Sequence, residues 1–241
     1  MTIYTPRHFN SDHRDDALAL IRGWPFATLI TTAGGEPHIT HLPLLLEGED
    51  MRFASTARSM AERPAKDGRA GVADSEPSRH GWHTGAGQQM LTGHMARANP
   101  HWQAFADGHT VAVFHGPHAY ISPSWYVAPE KEVPTWNYAT VHVQGRPLLI
   151  DDATAKLAVV DATTAAFESP DQPWQRQLEA ARLTAMLNSI VAFQIPLTRL
   201  EAKFKMNQNK TPQDRAQVIA QLRASGHPDL AAMADWMTEH E

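Results

Sequence analysis

Cysteine is absent from the 241-residue chain, and this absence excludes several kinds of chemistry at once. The protein can form no disulfide bond, no thiolate-ligated zinc or iron–sulfur centre and no cysteine nucleophile. Long apolar runs are also missing, since no stretch approaches the roughly 18 apolar residues that span a bilayer. The N-terminal segment MTIYTPRHFNSDHRDD lacks the apolar core of a signal peptide. We therefore expect a cytoplasmic protein with no membrane partner.

Basic residues are outnumbered by acidic ones. The chain has 21 Lys and Arg against 26 Asp and Glu, which gives a formal net charge of -5 at pH 7. Because such a chain is a poor general ligand for polyanions, direct DNA binding is doubtful. The phosphate-binding motifs G-x-G-x-x-G and G-x-x-x-x-G-K-S/T and the nucleophile elbow G-x-S-x-G do not occur in the sequence.

Segments with strand character dominate the first 150 residues. The clearest are Phe26–Thr32 and His38–Leu46, which flank a Gly34–Gly35 turn and predict a hairpin. The strands cluster and do not alternate with helices, which predicts a mainly β, α+β fold: an antiparallel barrel or sheet with helices packed on it. Further strands are predicted at Met90–Met95, His109–His115, Trp136–Ile150, Ile190–Ile195 and Leu200–Met206, and helices at His13–Gly23, Asp151–Phe167, Gln175–Asn188, Pro212–Ala224 and Pro228–Met237.

Residues 58–88 differ from their surroundings. They are rich in Gly, Pro, Ser and charged residues and show no sustained hydrophobic periodicity. A structureless loop of about 30 residues is unusual inside a compact domain. We interpret the segment as an insertion, which acts as a lid, a partner-contacting arm or a mobile loop, within a domain that covers residues 1–210. Residues 211–241 are predicted to form a C-terminal helical tail.

Histidine pairs with the spacing His-x-x-His raise the question of a metal site. They are His38/His41, His80/His83 and His115/His118. On a strand, residues i and i+3 point to opposite faces, so the first pair cannot chelate one ion. The second pair lies in the predicted insertion, and the third is predicted to straddle a strand end and a Gly-Pro turn before a loop over 117–133. We expect surface or hydrogen-bonded histidines and no metal site.

The segment Gly93–Pro100 combines features of an anion site. A predicted strand ends here, Asn99 can cap the following helix and Pro100 suits its first position. Amide groups at a helix N-terminus and the guanidinium of Arg97 would together suit a phosphate. The alternative is that Asn99 only caps the helix and Arg97 only faces water.

Two segments, HAYISPSWY at 118–126 and PTWNY at 134–138, concentrate aromatic residues. Planar rings beside hydroxyl and amide groups suit a flat heteroaromatic ligand, but they equally suit a dimer interface or a core beneath long loops. In the stretch that follows Leu200, Lys203 and Lys205 share one face if the chain is extended. That face would meet either a phosphate or water.

Longer motifs carry a resemblance to one family. The segments GHMARANPHW, FHGPHAYISPSWY, VPTWNYATVHVQGR and TRLEAKFKMNQNK, in this order, together with YTPRHF near the N-terminus, resemble the PaiB-type FMN-binding negative transcriptional regulators. The resemblance spans nearly the whole chain. It implies a split β-barrel, similar to the pyridoxamine-phosphate-oxidase-like flavin fold, that forms a homodimer with FMN between the two subunits.

The resemblance also implies roles for particular residues. Thr40, His41 and Leu42 would lie on the strand beside the flavin. Arg97, with His94 and Asn99, would belong to the segment that receives the phosphate. Lys205 is a further phosphate candidate and Trp136 a further neighbour of the ring. The chain departs from the family pattern in the length of 58–88, in Ala202 where a glycine is expected and in Asn207 where a serine is expected.

Three functions are compatible with these observations. The first is an FMN-binding PaiB-type regulator that acts as a homodimer. The alternative is a flavin-dependent oxidoreductase that acts on a small planar substrate, with His94 or His115 as the acid or base. The third is a structural or interaction module that binds no flavin.

Overall fold

The computed structural model describes residues 14–47, 82–83 and 89–240. Most of the predicted insertion at 58–88, including His80, lies outside the described residues. The strands are β1 (Phe26–Ala33), β2 (Glu36–Pro43), β3 (Leu45–Leu46), β4 (Trp82–His83), β5 (Met90–Ala96), β6 (His109–Ile121), β7 (Thr135–Gly145), β8 (Leu148–Ile150), β9 (Ile190–Pro196) and β10 (Arg199–Lys205). The α-helices are α1 (Arg14–Gly23), α2 (Ala153–Phe167), α3 (Ala180–Asn188), α4 (Pro212–Ala224) and α5 (Pro228–Glu239), and short 3-10 helices lie at Pro100–Phe105, Pro123–Trp125 and Pro129–Lys131.

Two compact units divide the chain, and each is described by itself. Unit 1 contains the residues up to 25 together with 113–142 and 200–241, and unit 2 contains 26–112 and 143–199. The prediction of an α+β fold with antiparallel strands is confirmed. Among the described residues, no helix is both long and apolar enough to cross a membrane.

Unit 2 begins with the predicted hairpin. Strands β1 and β2 are antiparallel, from the pair Phe26↔Pro43 to the pair Ala33↔Glu36. Gly34 and Gly35 form the turn with φ angles of 60° and 87°, a region that glycine enters without the steric cost of a Cβ atom. The local sequence is therefore sufficient to specify this hairpin.

A second antiparallel sheet in unit 2 has the strand order β3-β5-β9-β8. Strand β5 pairs with β9 from Met90↔Pro196 to Ala96↔Ile190. Leu91, Phe193 and Ile195 are fully buried in this sheet, and α2 lies against β5 and β9. Burial of these large apolar side chains stabilises the sheet by about 1.5–3 kcal/mol each.

Unit 1 contains adjacent segments of β6, β7 and β10 with α1, α4 and α5. Helix α4 begins as predicted, because the Thr211 side chain accepts a hydrogen bond from the Asp214 amide and Pro212 occupies the first turn. The buried Arg215 side chain donates to the carbonyl oxygens of Met206, at 2.7 Å, and Met237, at 2.8 Å. It thereby joins the end of β10 to α5.

The prediction that β6 ends at His115 is wrong. The strand continues through Gly116 and Pro117 to Ile121, so His115 and His118 belong to one strand and no Gly-Pro turn separates them. Gly116 and Pro117 are both buried, which shifts the alternation of exposed residues by one position. A Cβ atom at Gly116 would lie 2.8 Å from Leu20 Cδ1. Close packing of α1 therefore keeps this part of the strand in place.

Two predicted helices also differ in the structure. The segment after Asn99 is a six-residue 3-10 helix, Pro100–Phe105, because the chain turns at Gly108 directly into β6. Helix α3 starts at Ala180 and not at Gln175. Prolines at 170 and 173 remove backbone donors from the preceding segment, which favours an extended approach to the helix.

Candidate functional site

The turn after β5 lies at the centre of the candidate site in unit 2. Backbone hydrogen bonds fix it: the Arg97 amide donates to Ser189 O at 2.8 Å, and the Asn99 amide donates to Ala96 O at 3.0 Å. The Asn99 side-chain oxygen accepts a hydrogen bond of 3.0 Å from the His101 amide. The prediction that Asn99 caps a helix with Pro100 at its first position is confirmed.

A chain of side-chain hydrogen bonds connects this turn to β2. Asn99 Nδ2 donates to Thr40 Oγ1 at 2.9 Å, and Thr40 Oγ1 lies 2.8 Å from His101 Nδ1. The hydroxyl accepts from the Asn99 amide, and its single hydrogen and second lone pair allow the bond to His101 Nδ1 in either direction.

His101 is a functional candidate that the sequence did not single out. Only 2% of its surface is exposed, and burial, together with the nearby His38, lowers its pKa to about 4. The His38 ring is stacked on it at a centroid distance of 5.8 Å. Within the described residues, the buried Nε2 atom has no hydrogen-bond partner. A buried polar atom without a hydrogen-bond partner costs about 1–3 kcal/mol, so Nε2 is a position at which a ligand atom could form a hydrogen bond.

Arg97 holds its guanidinium group in a defined position at the surface. Nε donates to Asn188 O at 2.8 Å, Nη2 donates to Ile190 O at 3.1 Å, and the group lies 5.8 Å from the centre of the Trp102 ring. These carbonyl partners are neutral, so they orient the positive charge without neutralising it. Because an arginine has five N–H donors, donors remain for an anion.

The remaining candidates on β2 and β5 occupy different environments. Alternation along β2 places Leu42, which is buried, on the same face as Thr40, whereas the exposed His41 lies on the other face. The structure therefore brings Thr40 together with Asn99 and separates it from His41. His94 on β5 is half-buried, and burial lowers its pKa. Its imidazole is thus neutral at pH 7.

The last two candidates, Trp136 and Lys205, lie together in unit 1. Lys205 Nζ donates to Trp136 O at 2.6 Å and also to Thr135 Oγ1. Burial and, secondarily, the neighbouring lysines lower the Lys205 pKa. Trp136 exposes 54% of its surface, and its ring lies 6.1 Å from that of Tyr120. An exposed aromatic surface beside a cation can accept a planar anionic ligand.

In the part of the chain that the structure describes, no three His, Asp or Glu side chains lie close enough together to hold a metal ion.

The fold and these residues define a class of protein. The antiparallel α+β architecture has the split-barrel fold. The flavocytochrome Anf3 from Azotobacter vinelandii superposes with a TM-score of 0.55 at 12% identity and covers 88% of this chain and 78% of its own. The FAD and heme binding protein from Mycobacterium smegmatis superposes with a TM-score of 0.52 at 15% identity, with coverages of 86% and 78%.

The particular family follows from the sequence. Residues 3–199 match the family model described as "Putative FMN-binding domain", and the chain belongs to this family. The protease synthase and sporulation protein PAI 2 of Bacillus subtilis (strain 168) is 28% identical over 240 residues, which cover 98% of this chain and 97% of that relative. The resemblance to PaiB-type proteins is thereby confirmed, and FMN is the cofactor that family membership supports.

The residues present fit FMN chemically. Arg97 offers an oriented positive charge for the phosphate, and His101 Nε2, which has no partner among the described residues, can form a hydrogen bond with a polar ligand atom. In unit 1, the exposed Trp136 ring provides a stacking surface. Arg97 and His101 thus lie in unit 2, and Trp136 lies in unit 1.

Proposed function

We propose that the protein binds FMN as a homodimer and that Arg97 is the principal phosphate ligand. The observation that supports this proposal is the position of the Arg97 guanidinium. Two backbone carbonyl oxygens orient it, and it is exposed beside the Asn99 turn. The hydrogen bonds between Thr40, Asn99 and His101 attach β2 to the same turn. They support the assignment of β2 to the strand beside the flavin.

The chain's own residues would act in the following way. Arg97 binds and orients the phosphate with the donors that its carbonyl partners leave available. Asn99 holds the turn in the geometry that presents Arg97, and Thr40 transmits this restraint to β2. His101 remains neutral across the physiological pH range, because its pKa is about 4. The flavin, when bound, supplies a reversible redox centre and visible absorption.

Parallel titrations of FMN and riboflavin test the role of Arg97, since the two ligands differ by the phosphate. Arg97→Ala is expected to weaken FMN binding by roughly 1.5–3 kcal/mol, or about 10- to 150-fold, and to leave riboflavin binding almost unchanged. Arg97→Lys keeps the charge but not the fork and should give an intermediate loss.

The matched control is Arg223→Ala, which removes an exposed arginine from α4 in the other unit. This variant should bind both ligands as the unmodified protein does. An equal loss of FMN and riboflavin affinity in Arg97→Ala would reject Arg97 as the phosphate ligand. Analytical ultracentrifugation tests the proposed homodimer, and a monomer at micromolar concentration would contradict it.

We further propose a negative regulatory role in the cytoplasm, exerted without tight DNA contact by the isolated dimer. The helices of the proposed tail, α4 and α5, have the order of a helix–turn–helix element, but α5 carries Asp229, Asp235 and Glu239 and would repel phosphates. An electrophoretic shift with nanomolar affinity that survives about 150 mM salt would overturn this proposal.

Catalysis is the second candidate, and His94 favours it. Its half-buried imidazole has a lowered pKa and lies on β5, three residues before Arg97, so it can accept a proton at neutral pH. The FMN-loaded protein should then lose its visible flavin band rapidly when NAD(P)H is added under anaerobic conditions. Absence of bleaching would favour a binding or sensing role.

A further inference from the structure

A concavity in unit 2 has a lining that includes neither Thr40 nor Arg97. It is an open pocket with a volume of about 460 Å³, within the range of roughly 300–1,000 Å³ that is usual for small-molecule sites. Three chain segments form it: the turn that enters β6, the end of β7 and the connection between β9 and β10. The lining residues that matter here are Asp107, Gly108, His109, Gly145, Arg146 and Thr198.

The walls of this pocket are held in place by close backbone contacts. Thr198 donates twice to Gln144 O, from its amide at 2.9 Å and from its hydroxyl at 2.7 Å. A Cβ atom at Gly145 would lie 2.0 Å from Pro196 O, and one at Gly108 would lie 2.5 Å from Ala104 O. Since backbone atoms cannot give way as flexible side chains can, these contacts limit the movement of the backbone that forms the walls.

The lining combines a cation with an anion. Arg146 is exposed and donates from Nη2 to Ala106 O, so a neutral oxygen orients its guanidinium and most of its donors remain. Asp107, also exposed, lines the same pocket. In the described ranges of the chain, no ion pair engages either charge. The Thr198 hydroxyl has committed its hydrogen to Gln144 O and presents only acceptor lone pairs.

We propose that this pocket binds a small zwitterion, whose carboxylate is bound by Arg146 and whose ammonium group is bound by Asp107 with the Thr198 hydroxyl as a further acceptor. A guanidinium group pairs with a carboxylate through two parallel hydrogen bonds. The Asp107 carboxylate repels polyanions, which distinguishes this site from a phosphate site. The lining of this pocket contains none of Thr40, Arg97 and Asn99, so it shares no residue with the proposed phosphate site.

A series of amino acids with increasing separation between amine and carboxylate tests the proposal. The probes are glycine, β-alanine, γ-aminobutyrate and 5-aminovalerate, with butyrate and butylamine as single-charge controls. Isothermal titration of the full chain should show saturable binding with an optimum at one length. The best zwitterion should bind at least tenfold more tightly than butyrate or butylamine.

Charge-removing variants complete the test. Arg146→Gln and Asp107→Asn should each weaken the best zwitterion at least tenfold, whereas Arg223→Gln, on a helix of unit 1, should have no effect. Far-UV circular dichroism verifies that the variants are folded, and their FMN titration should be unchanged. Equal affinity for butyrate and the zwitterions, or no saturation by any probe up to about 50 mM, would overturn the proposal.

Discussion

Acidification should destabilise the protein through His101. Its pKa is about 4 in the folded state, against 6.5 for a histidine in the unfolded chain, because the ring is buried and lies against His38. A depressed histidine pKa means that the unfolded state binds more protons between these two values. The contribution of His101 to the free energy of unfolding is therefore fully present above pH 6.5 and is lost as the pH falls from 6.5 to 4.

The magnitude follows from the two pKa values. One pKa unit corresponds to about 1.4 kcal/mol, so His101 alone should lower the free energy of unfolding by about 2 kcal/mol between pH 7 and pH 5. The full loss on further acidification is about 3 kcal/mol. Two other histidines, His94 and His142, also have pKa values lowered by burial and act in the same direction. A variant is needed to isolate the effect of His101.

The variant is His101→Asn, whose side-chain oxygen can accept the hydrogen of the Thr40 hydroxyl but cannot be protonated in this range. Urea denaturation at pH 7 and pH 5 should show that the variant loses about 2 kcal/mol less than the unmodified protein on acidification. The variant can be less stable at pH 7 without affecting this difference. If the two proteins lose the same free energy between these pH values, His101 is not a buried neutral group with a lowered pKa.

Three further substitutions test individual contacts by urea denaturation or thermal melting. Asn99→Ala removes both the N-cap hydrogen bond and the bond to β2, and should cost about 1–2 kcal/mol, whereas Asn99→Asp keeps the cap and should cost less. Gly145→Ala places a Cβ atom 2.0 Å from a backbone oxygen and should cost about 1–3 kcal/mol, while Gly23→Ala, with no atom within 4 Å of the new Cβ, should have little effect. Arg215→Met leaves two buried carbonyl oxygens without their donor and should cost about 2–3 kcal/mol; the exposed Arg223→Met should change stability by less than about 0.5 kcal/mol. Equal effects within any of these three matched pairs would show that the contacts named for that pair do not stabilise the fold.

The sequence predicted best those features that depend on neighbouring residues. The Gly34–Gly35 turn follows from its glycines, whose φ angles of 60° and 87° favour residues without a Cβ atom. The starts of α4 and of the 3-10 helix at Pro100 follow from a capping side chain and a proline at neighbouring positions. The long motifs that resemble the PaiB-type family are likewise readable along the chain, and they indicated both the fold and FMN.

Tertiary structure decided the features that depend on distant residues. Strand β6 continues past Gly116 because α1, almost 100 residues earlier, packs against it. His101 meets Thr40 from 61 positions away, and Arg97 is oriented by carbonyl oxygens 91 and 93 positions along the chain. Neither spacing nor residue type determines such contacts, since they form only when separate strands and turns pack together. The sequence thus predicted Thr40, Arg97 and Asn99 as candidates. It did not predict His101, its lowered pKa or the orientation of Arg97, because burial and distant carbonyl partners determine them.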